Sequence, residues 1–160
     1  MTWQLRRANE GDLEPIMELE RTVFGLDAWS AETMRSELGG PHTYYLVAFR
    51  PGHPERLDGY AGLRAPRGIE QADIQTIAVA EHARRSGLGR VLMLSLIAEA
   101  RQRGATEVFL EVRADNPPAR SLYDTLGFEQ LGVREAYYQP EGVDAIVMRL
   151  RVPPSETRPA

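Results

Sequence analysis

The chain has 160 residues, no cysteine and a formal net charge of -4. This length predicts one compact domain, the missing cysteine excludes disulfides and thiolate chemistry, and the negative charge argues against a broad nucleic-acid surface. No stretch approaches the roughly 18 apolar residues of a membrane span, so we expect a cytoplasmic protein without a membrane partner.

The first half of the chain predicts a strand, two helices and three strands. Apolar residues at helical spacing predict the first helix over 12–24. Ser30 is a typical N-cap for a second helix that ends near Gly39. Runs of β-branched and aromatic residues, interrupted by a turn at Pro51–Pro54, predict the strands. The strand bounds are 3–8, 43–49, 57–64 and 70–79.

The second half predicts a long helix, a strand, a helix and two strands. The long helix covers 87–103 and the strand that follows covers 108–112. The second helix begins after an N-cap at Asn116, with proline at its first position, and closes at Gly127. The last two strands are predicted at 128–138 and 145–150, and a polar, proline-rich tail at 153–160 is expected to be disordered.

This order predicts an α/β fold with a mixed central sheet of about six to seven strands flanked by four helices. The strand-helix-strand unit over 70–112 places its two strands parallel. We expect a single domain over residues 1–152.

The segment Arg84–Arg90 lies between a predicted strand and the long helix. A helix N-terminus exposes unpaired backbone N–H groups and the positive end of the helix dipole, which suits an anion. Gly87 and Gly89 let the backbone approach phosphate oxygens without a Cβ in the way. The flanking arginines add positive charge, so the segment predicts a pyrophosphate site.

Two common nucleotide motifs do not describe this segment. A P-loop requires a Gly-Lys-Ser or Gly-Lys-Thr ending, and the chain has none. A dinucleotide fingerprint requires three glycines followed by an acidic ribose contact, whereas this segment has two glycines. A nucleotide-binding regulatory domain is therefore disfavoured.

The chain resembles the Gcn5-related N-acetyltransferase (GNAT) superfamily. Its cofactor motif, Gln/Arg-x-x-Gly-x-Gly/Ala, is matched by Arg84, Gly87 and Gly89. The resemblance extends over about residues 4–150. Together with further segments it is similar to the ribosomal-protein N-terminal alanine acetyltransferases (the RimI group); these segments are Ile77-Ala78-Val79, Leu110–Asn116, Ala119, Leu122-Tyr123, Leu126–Phe128, Tyr137-Tyr138 and Asp144–Met148.

The resemblance implies a GNAT fold, acetyl-CoA as co-substrate and a role for each matched residue. The backbone of the strand end would pair with the pantetheine arm, the loop amides would hold the pyrophosphate, and Asn116 would contact the cofactor further along. Glu111 would be the general base and Tyr123 the general acid. The implied cofactor residues are Ile77, Ala78, Val79, Arg84, Arg85, Ser86, Gly87, Leu88, Gly89, Arg90 and Asn116.

The chemistry of amide formation accounts for these residue types. An α-amino group titrates near pH 8, so about a tenth or more is neutral at pH 7 and a carboxylate can take the remaining proton. A fixed backbone N–H can stabilise the oxyanion formed on the thioester. A phenol can protonate the departing thiolate, and no metal is required.

The acceptor amine is less well defined than the cofactor. Trp29, Tyr137 and Tyr138 are the candidate substrate contacts. The expected partner is a protein N-terminus, and a small-subunit ribosomal protein that begins with alanine is the favoured acceptor. The chain has Asp27-Ala28-Trp29-Ser30 where the RimI group usually has Phe-Pro-Trp-Ser. A small-molecule amine or a protein lysine therefore stays open as acceptor, and a non-catalytic acyl-CoA-binding module is the alternative from another class. The oligomeric state is not predicted.

Overall fold

This computed structural model describes residues 2–154 of the chain. The four predicted helices and seven predicted strands are present in the predicted order, with small differences in their bounds. The helices are α1 (Leu13–Phe24), α2 (Ala31–Leu38), α3 (Leu88–Gln102) and α4 (Pro117–Leu126). The strands are β1 (Gln4–Arg7), β2 (Thr43–Phe49), β3 (Gly59–Arg64), β4 (Gln71–Val79), β5 (Glu107–Arg113), β6 (Glu129–Tyr138) and β7 (Val143–Arg151).

Short polar side chains start two of the helices as their sequence signals predict. The Ser30 hydroxyl accepts the Thr33 amide at 3.1 Å at the start of α2, and Asn116 Oδ1 accepts the Ala119 amide at 3.3 Å at the start of α4. Each bond satisfies an amide that has no partner inside the helix. Helix α4 ends at Gly127, whose φ of 99° is a left-handed conformation that glycine tolerates best.

The seven strands form one mixed sheet in the order β1-β2-β3-β4-β5-β7-β6. Strands β4 and β5 are the parallel pair, as predicted for a strand-helix-strand unit. The other neighbouring pairs are antiparallel. The parallel pairing covers only 71–73 of β4 and 107–109 of β5, so the two strands separate beyond these residues.

Helices cover the two faces of the sheet unequally. Helices α3 and α4 pack on one face, where Leu92, Met93 and Leu96 are fully buried. Helices α1 and α2 pack on the other face through a second cluster that includes Ile16 and Met34. Burying side chains of this size stabilises the fold by roughly 1.5–3 kcal/mol each. The second cluster takes its strand residues from β2, β3 and β4, so α1 and α2 lie over that half of the sheet.

Most of the predicted tail, residues 155–160, lies outside the described residues. Within 2–154, no helix is long and apolar enough to cross a membrane.

Candidate active site

The separation of β4 from β5 creates an opening near the centre of the sheet. Asp73 is the last residue of β4 in register with β5, opposite Phe109. Within the described part of the chain, the rest of β4 pairs with β3 alone, where Ile77, Ala78 and Val79 face Ala61, Tyr60 and Gly59. The edge of β4 that faces the opening is therefore free to accept an extended ligand as an added strand.

A bulge in β4 sits beside this opening. The register against β3 shifts between Gly62 and Leu63, which leaves Gln75 as the extra residue on β4. The Tyr45 hydroxyl donates to Gln75 Oε1 at 2.8 Å. This contact from β2 fixes the side chain of the bulged residue.

The Arg84–Arg90 loop joins the end of β4 to α3. Gly87 is the N-cap residue of α3 and no side chain caps the helix. The amides of Leu88, Gly89 and Arg90 therefore lack intrahelical partners and lie at the positive end of the helix dipole. This geometry agrees with an anion site at this helix start.

Contacts within the loop and with the residues before it hold the loop in place. His82, in a short turn before the loop, approaches the buried Asp58 carboxylate at 2.7 Å. The Ser86 hydroxyl donates to the Ala83 carbonyl oxygen, and Arg84 Nε donates to the Val79 carbonyl oxygen at 3.2 Å. Arg85 has a φ of 62°, which few residues other than glycine adopt.

Glu111 lies on β5, on the sheet face that α1 and α2 leave open. Its side chain is 29% exposed, and Oε1 lies 3.1 Å from Arg134 Nε. Asp73 lies close enough to interact electrostatically with it: desolvation raises the pKa of Asp73, Arg64 opposes that rise and the Glu111 charge adds to it. Two carboxylates thus border one side of the opening.

Tyr123 comes from the opposite face of the sheet. It belongs to α4 and is buried in the cluster beneath α3 and α4, edge-to-face with Phe128. The side chain of its neighbour Leu122 contacts Gly89: a Cβ atom added to Gly89 would lie 3.3 Å from Leu122 Cδ2. This turn of α4 therefore packs against the start of α3. Burial raises the pKa of Tyr123 to about 12, and the nearby Tyr138 adds to the rise.

The three candidate acceptor contacts lie in different environments. Tyr137 is exposed, and its ring packs edge-to-face with Tyr138 at 5.1 Å between centroids. Burial and then the Glu111 charge raise the pKa of Tyr138 to about 12, so Tyr138 lies within electrostatic reach of both Glu111 and Tyr123. Trp29 packs against the cluster beneath α1 and α2, and its amide donates to Glu20 Oε2 at 2.8 Å.

Comparison with known families bears on this arrangement. The model of the Acetyltransferase (GNAT) family matches residues 13–128, which is most of the chain. The chain belongs to the GNAT acetyltransferase family. The predicted fold and the predicted enzyme class, an N-acetyltransferase, are confirmed.

Individual relatives indicate which group within the GNAT family this chain resembles. A protein of Mycobacterium tuberculosis named N-alpha-acetyltransferase RimI is 37% identical over 143 residues, covering 86% of this chain and 85% of that protein. The crystal structure of the ribosomal-protein-S18-alanine N-acetyltransferase from Escherichia coli superposes with a TM-score of 0.85 at 28% identity, over 99% of both chains. Arabidopsis thaliana NAA60 in complex with acetyl-CoA shares the fold, with a TM-score of 0.83 at 22% identity over 94% of this chain and 99% of that chain. The predicted similarity to the RimI group is confirmed.

Three residues that lie near candidate site residues have no sequence signal that predicts their position. The sequence does not distinguish Asp73 from an ordinary strand residue, and only the fold places it opposite Phe109 and within electrostatic reach of Glu111. Arg113 was part of the matched Leu110–Asn116 segment without an assigned role. Glu20 is an acidic residue in a helix pattern, yet it is buried and accepts hydrogen bonds from the Tyr60 hydroxyl and the Trp29 amide.

The Gly87→Ala variant is expected to bind acetyl-CoA about tenfold more weakly. An alanine in the left-handed conformation of Gly87 costs roughly 1–2 kcal/mol. The loop can avoid this cost by relaxing, and its amides then no longer lie in the position that binds the pyrophosphate. Gly87 has a φ of 89° and open space around its Cβ position, so strain and not collision is the cause. Isothermal titration calorimetry with acetyl-CoA measures the effect.

The matched control is Gly68→Ala, in the turn between β3 and β4 at the other end of β4. Gly68 has a φ of 80° and equally open space, so this variant carries similar strain. It should unfold at a lower temperature while keeping its affinity for acetyl-CoA. Equal affinities in the two variants would remove Gly87 from the pyrophosphate site.

Proposed function

We propose that this protein transfers the acetyl group of acetyl-CoA to the N-terminal α-amino group of a protein, with a ribosomal protein that begins with alanine as the favoured acceptor. One observation supports the mechanism: Glu111 and Tyr123, which come from opposite faces of the sheet, both lie within electrostatic reach of Tyr138. The acceptor class is supported by the names of the relatives, of which one is an N-alpha-acetyltransferase and another a ribosomal-protein-S18-alanine N-acetyltransferase.

Binding of acetyl-CoA uses the C-terminal end of β4 and the N-terminal start of α3. The amides of the Arg84–Arg90 loop hold the pyrophosphate, and Arg84, Arg85 and Arg90 supply positive charge around it. The free edge of β4 at Ile77, Ala78 and Val79 pairs with the pantetheine arm, and an amide of this edge donates to the thioester oxygen. Asn116, exposed at the start of α4, contacts the cofactor further along.

The two faces of the sheet carry different parts of the reaction. Glu111 takes the proton of the acceptor amine, directly or through a water, on the face that α1 and α2 leave open. The neutral nitrogen attacks the thioester carbonyl carbon and becomes positively charged, and Glu111 or a water that it orients takes this second proton. The oxyanion then collapses, and the C–S bond breaks as the amide forms. Tyr123 donates a hydrogen bond to the departing sulfur from the α3 and α4 face, and coenzyme A leaves as a thiolate. The amine therefore enters and the thiolate leaves on opposite sides.

The mouth for the acceptor lies on the Glu111 face. Trp29, Tyr137 and Tyr138 border it, and their side chains contact the first residues of the acceptor. Aromatic side chains bury a large apolar area with few rotatable bonds, so they suit the recognition of a short peptide.

Mass spectrometry of protein N-termini in cells with and without this protein tests the proposal. We expect one or a few N-termini, headed by that of a ribosomal protein, to lose their acetyl group in cells that lack it. The purified protein should release thiol from acetyl-CoA with the same N-terminal peptide, and not with that peptide blocked at its α-amino group. A peptide with one internal lysine and a blocked N-terminus, and a set of small amines, separate the other acceptor classes. If no N-terminal peptide is acetylated, the proposal is wrong. If no amine causes thiol release from acetyl-CoA, a non-catalytic binding module is favoured instead.

A further inference from the structure

Arg113 is the last residue of β5 and lies two positions after Glu111, on the same face of the sheet. Its guanidinium contacts three carboxylates: Nη1 lies 2.5 Å from Asp27 Oδ2, Nε lies 2.9 Å from Asp115 Oδ1, and Nη2 lies 2.7 Å from Glu141 Oε2. The Arg113 guanidinium carbon also lies 4.9 Å from the ring centroid of Tyr138. The Arg113 side chain is only 21% exposed.

The partners of Arg113 belong to three separate connections. Asp27 lies in the turn after α1, two residues before Trp29. Asp115 lies between β5 and α4, and Glu141 lies in the turn between β6 and β7, which follows Tyr138. One side chain thus joins the two segments that carry the candidate acceptor contacts.

The contact between these segments depends on the positive charge of Arg113. Three carboxylates surround one guanidinium, and without it like charges face one another from separate loops. Asp27 is the most shielded partner, with a side chain 21% exposed against 54% for Asp115 and 42% for Glu141. Exposed ion pairs contribute little to stability, so their main consequence here is the relative position of the loops.

We propose that Arg113 is a positioning residue that fixes the acceptor mouth by joining the turn at 25–27 to Tyr138 and to the turn at 139–142, and thereby sets the affinity for the acceptor. The inference rests on the proposed function. Arg113 need not touch the reacting atoms, because its contacts as found are with protein groups.

The variants Arg113→Met and Arg113→Lys test the proposal against Arg149→Met. Arg149 is the matched control: its side chain is 19% exposed, and it pairs with Glu107 and Glu129 on the same face of the sheet, away from the mouth. Lysine keeps the charge of Arg113 but lacks the planar guanidinium group that binds several carboxylates and stacks on a ring. Arg113→Lys should therefore restore the affinity for the acceptor only in part.

We expect Arg113→Met to raise KM for the acceptor peptide about tenfold or more, with kcat changed less than about threefold, since misplaced binding groups weaken productive binding. The dissociation constant for acetyl-CoA should stay at the wild-type value. Arg149→Met should leave KM for the peptide unchanged. An equal rise of KM in the methionine variants of Arg113 and Arg149, or an unchanged KM in Arg113→Met, overturns the proposal.

Hydrogen exchange supplies a readout that needs no acceptor. Amides within 24–30 and 136–143 should exchange faster in Arg113→Met than in wild type and in Arg149→Met, whereas amides of α3 should not differ. Unchanged exchange in both segments overturns the inference about Arg113 whatever the acceptor is. A wild-type protein that acetylates no peptide would instead overturn the proposed function and leave this exchange result standing.

Discussion

Replacing Tyr123 by phenylalanine is expected to lower kcat by about 10²-fold or more, the usual effect of removing a donor aimed at developing charge. The dissociation constant for acetyl-CoA should change little, because the ring that packs against Phe128 is retained. The Tyr123 hydroxyl makes no hydrogen bond with any described residue, so its loss leaves no buried partner unpaired. Thiol release measured under saturating acetyl-CoA and acceptor gives kcat directly.

The raised pKa of Tyr123 limits what the phenol can do. With a pKa of about 12, Tyr123 stays protonated throughout the neutral and mildly alkaline range. A thiol is a stronger acid than this phenol, so complete transfer of the Tyr123 proton to the departing thiolate would be uphill in free energy. Tyr123 is therefore expected to act as a hydrogen-bond donor to the departing sulfur. The pH profile of wild-type kcat should accordingly show no decline attributable to Tyr123 up to about pH 10.

Tyr44→Phe is the control for the loss of a phenol as such. Tyr44 is half-buried on β2, with the guanidinium groups of Arg7 and Arg103 over its ring. Both variants keep the ring and lose one hydroxyl. A kcat for Tyr123→Phe equal to that of Tyr44→Phe would remove Tyr123 from the reaction.

Local sequence signals predicted the elements that carry the cofactor site. The Arg84–Arg90 loop lies between a strand pattern and a helix pattern, and the spacing of Gly87 and Gly89 is itself the signal. Gly87 adopts a positive φ and caps α3 without a side chain, as the hypothesis of an anion at this helix start requires. Asn116 likewise has the N-cap contact that its position before Pro117 predicts.

The opening between β4 and β5 has no comparable local signal. Its geometry depends on a bulge at Gln75, and that residue is held by the hydroxyl of Tyr45. The ring of Tyr45 lies over Gly62, where a Cβ would come within 2.2 Å of the ring. This contact crosses three strands, so no periodicity within one strand can reveal it.

The acceptor mouth was unpredictable for a similar reason. Arg113 and Asp27 are 86 positions apart, and Arg113 and Glu141 are 28 apart. A local pattern predicts an arginine at the end of a strand, and only the folded chain brings its partners together. Tyr137 and Tyr138 were singled out by resemblance, whereas the link from Tyr138 to Arg113 comes from the fold.

Replacing Glu111 by glutamine is expected to lower kcat/KM for the acceptor by about 10²- to 10⁴-fold at pH 7, the usual contribution of a general base. Glutamine keeps the shape of the side chain but has no charge to pair with Arg134 and cannot take a proton. Glu107→Gln is the matched control. Glu107 lies on the same strand and face, is also 29% exposed and pairs with Arg149, so it should retain nearly full activity.

The pH dependence of this deficit separates two tasks of Glu111. About a tenth of an α-amino group is neutral at pH 7 and about nine-tenths at pH 9, so solvent does the first deprotonation at high pH. If Glu111 only neutralises the incoming ammonium, the ratio of wild-type to Glu111→Gln activity should fall about tenfold over this range. The nitrogen gains positive charge again as it attacks the thioester, and removing that second proton still needs a base at pH 9. We expect a residual deficit of about tenfold or more at pH 9, and its absence in side-by-side rate measurements would confine Glu111 to the first deprotonation.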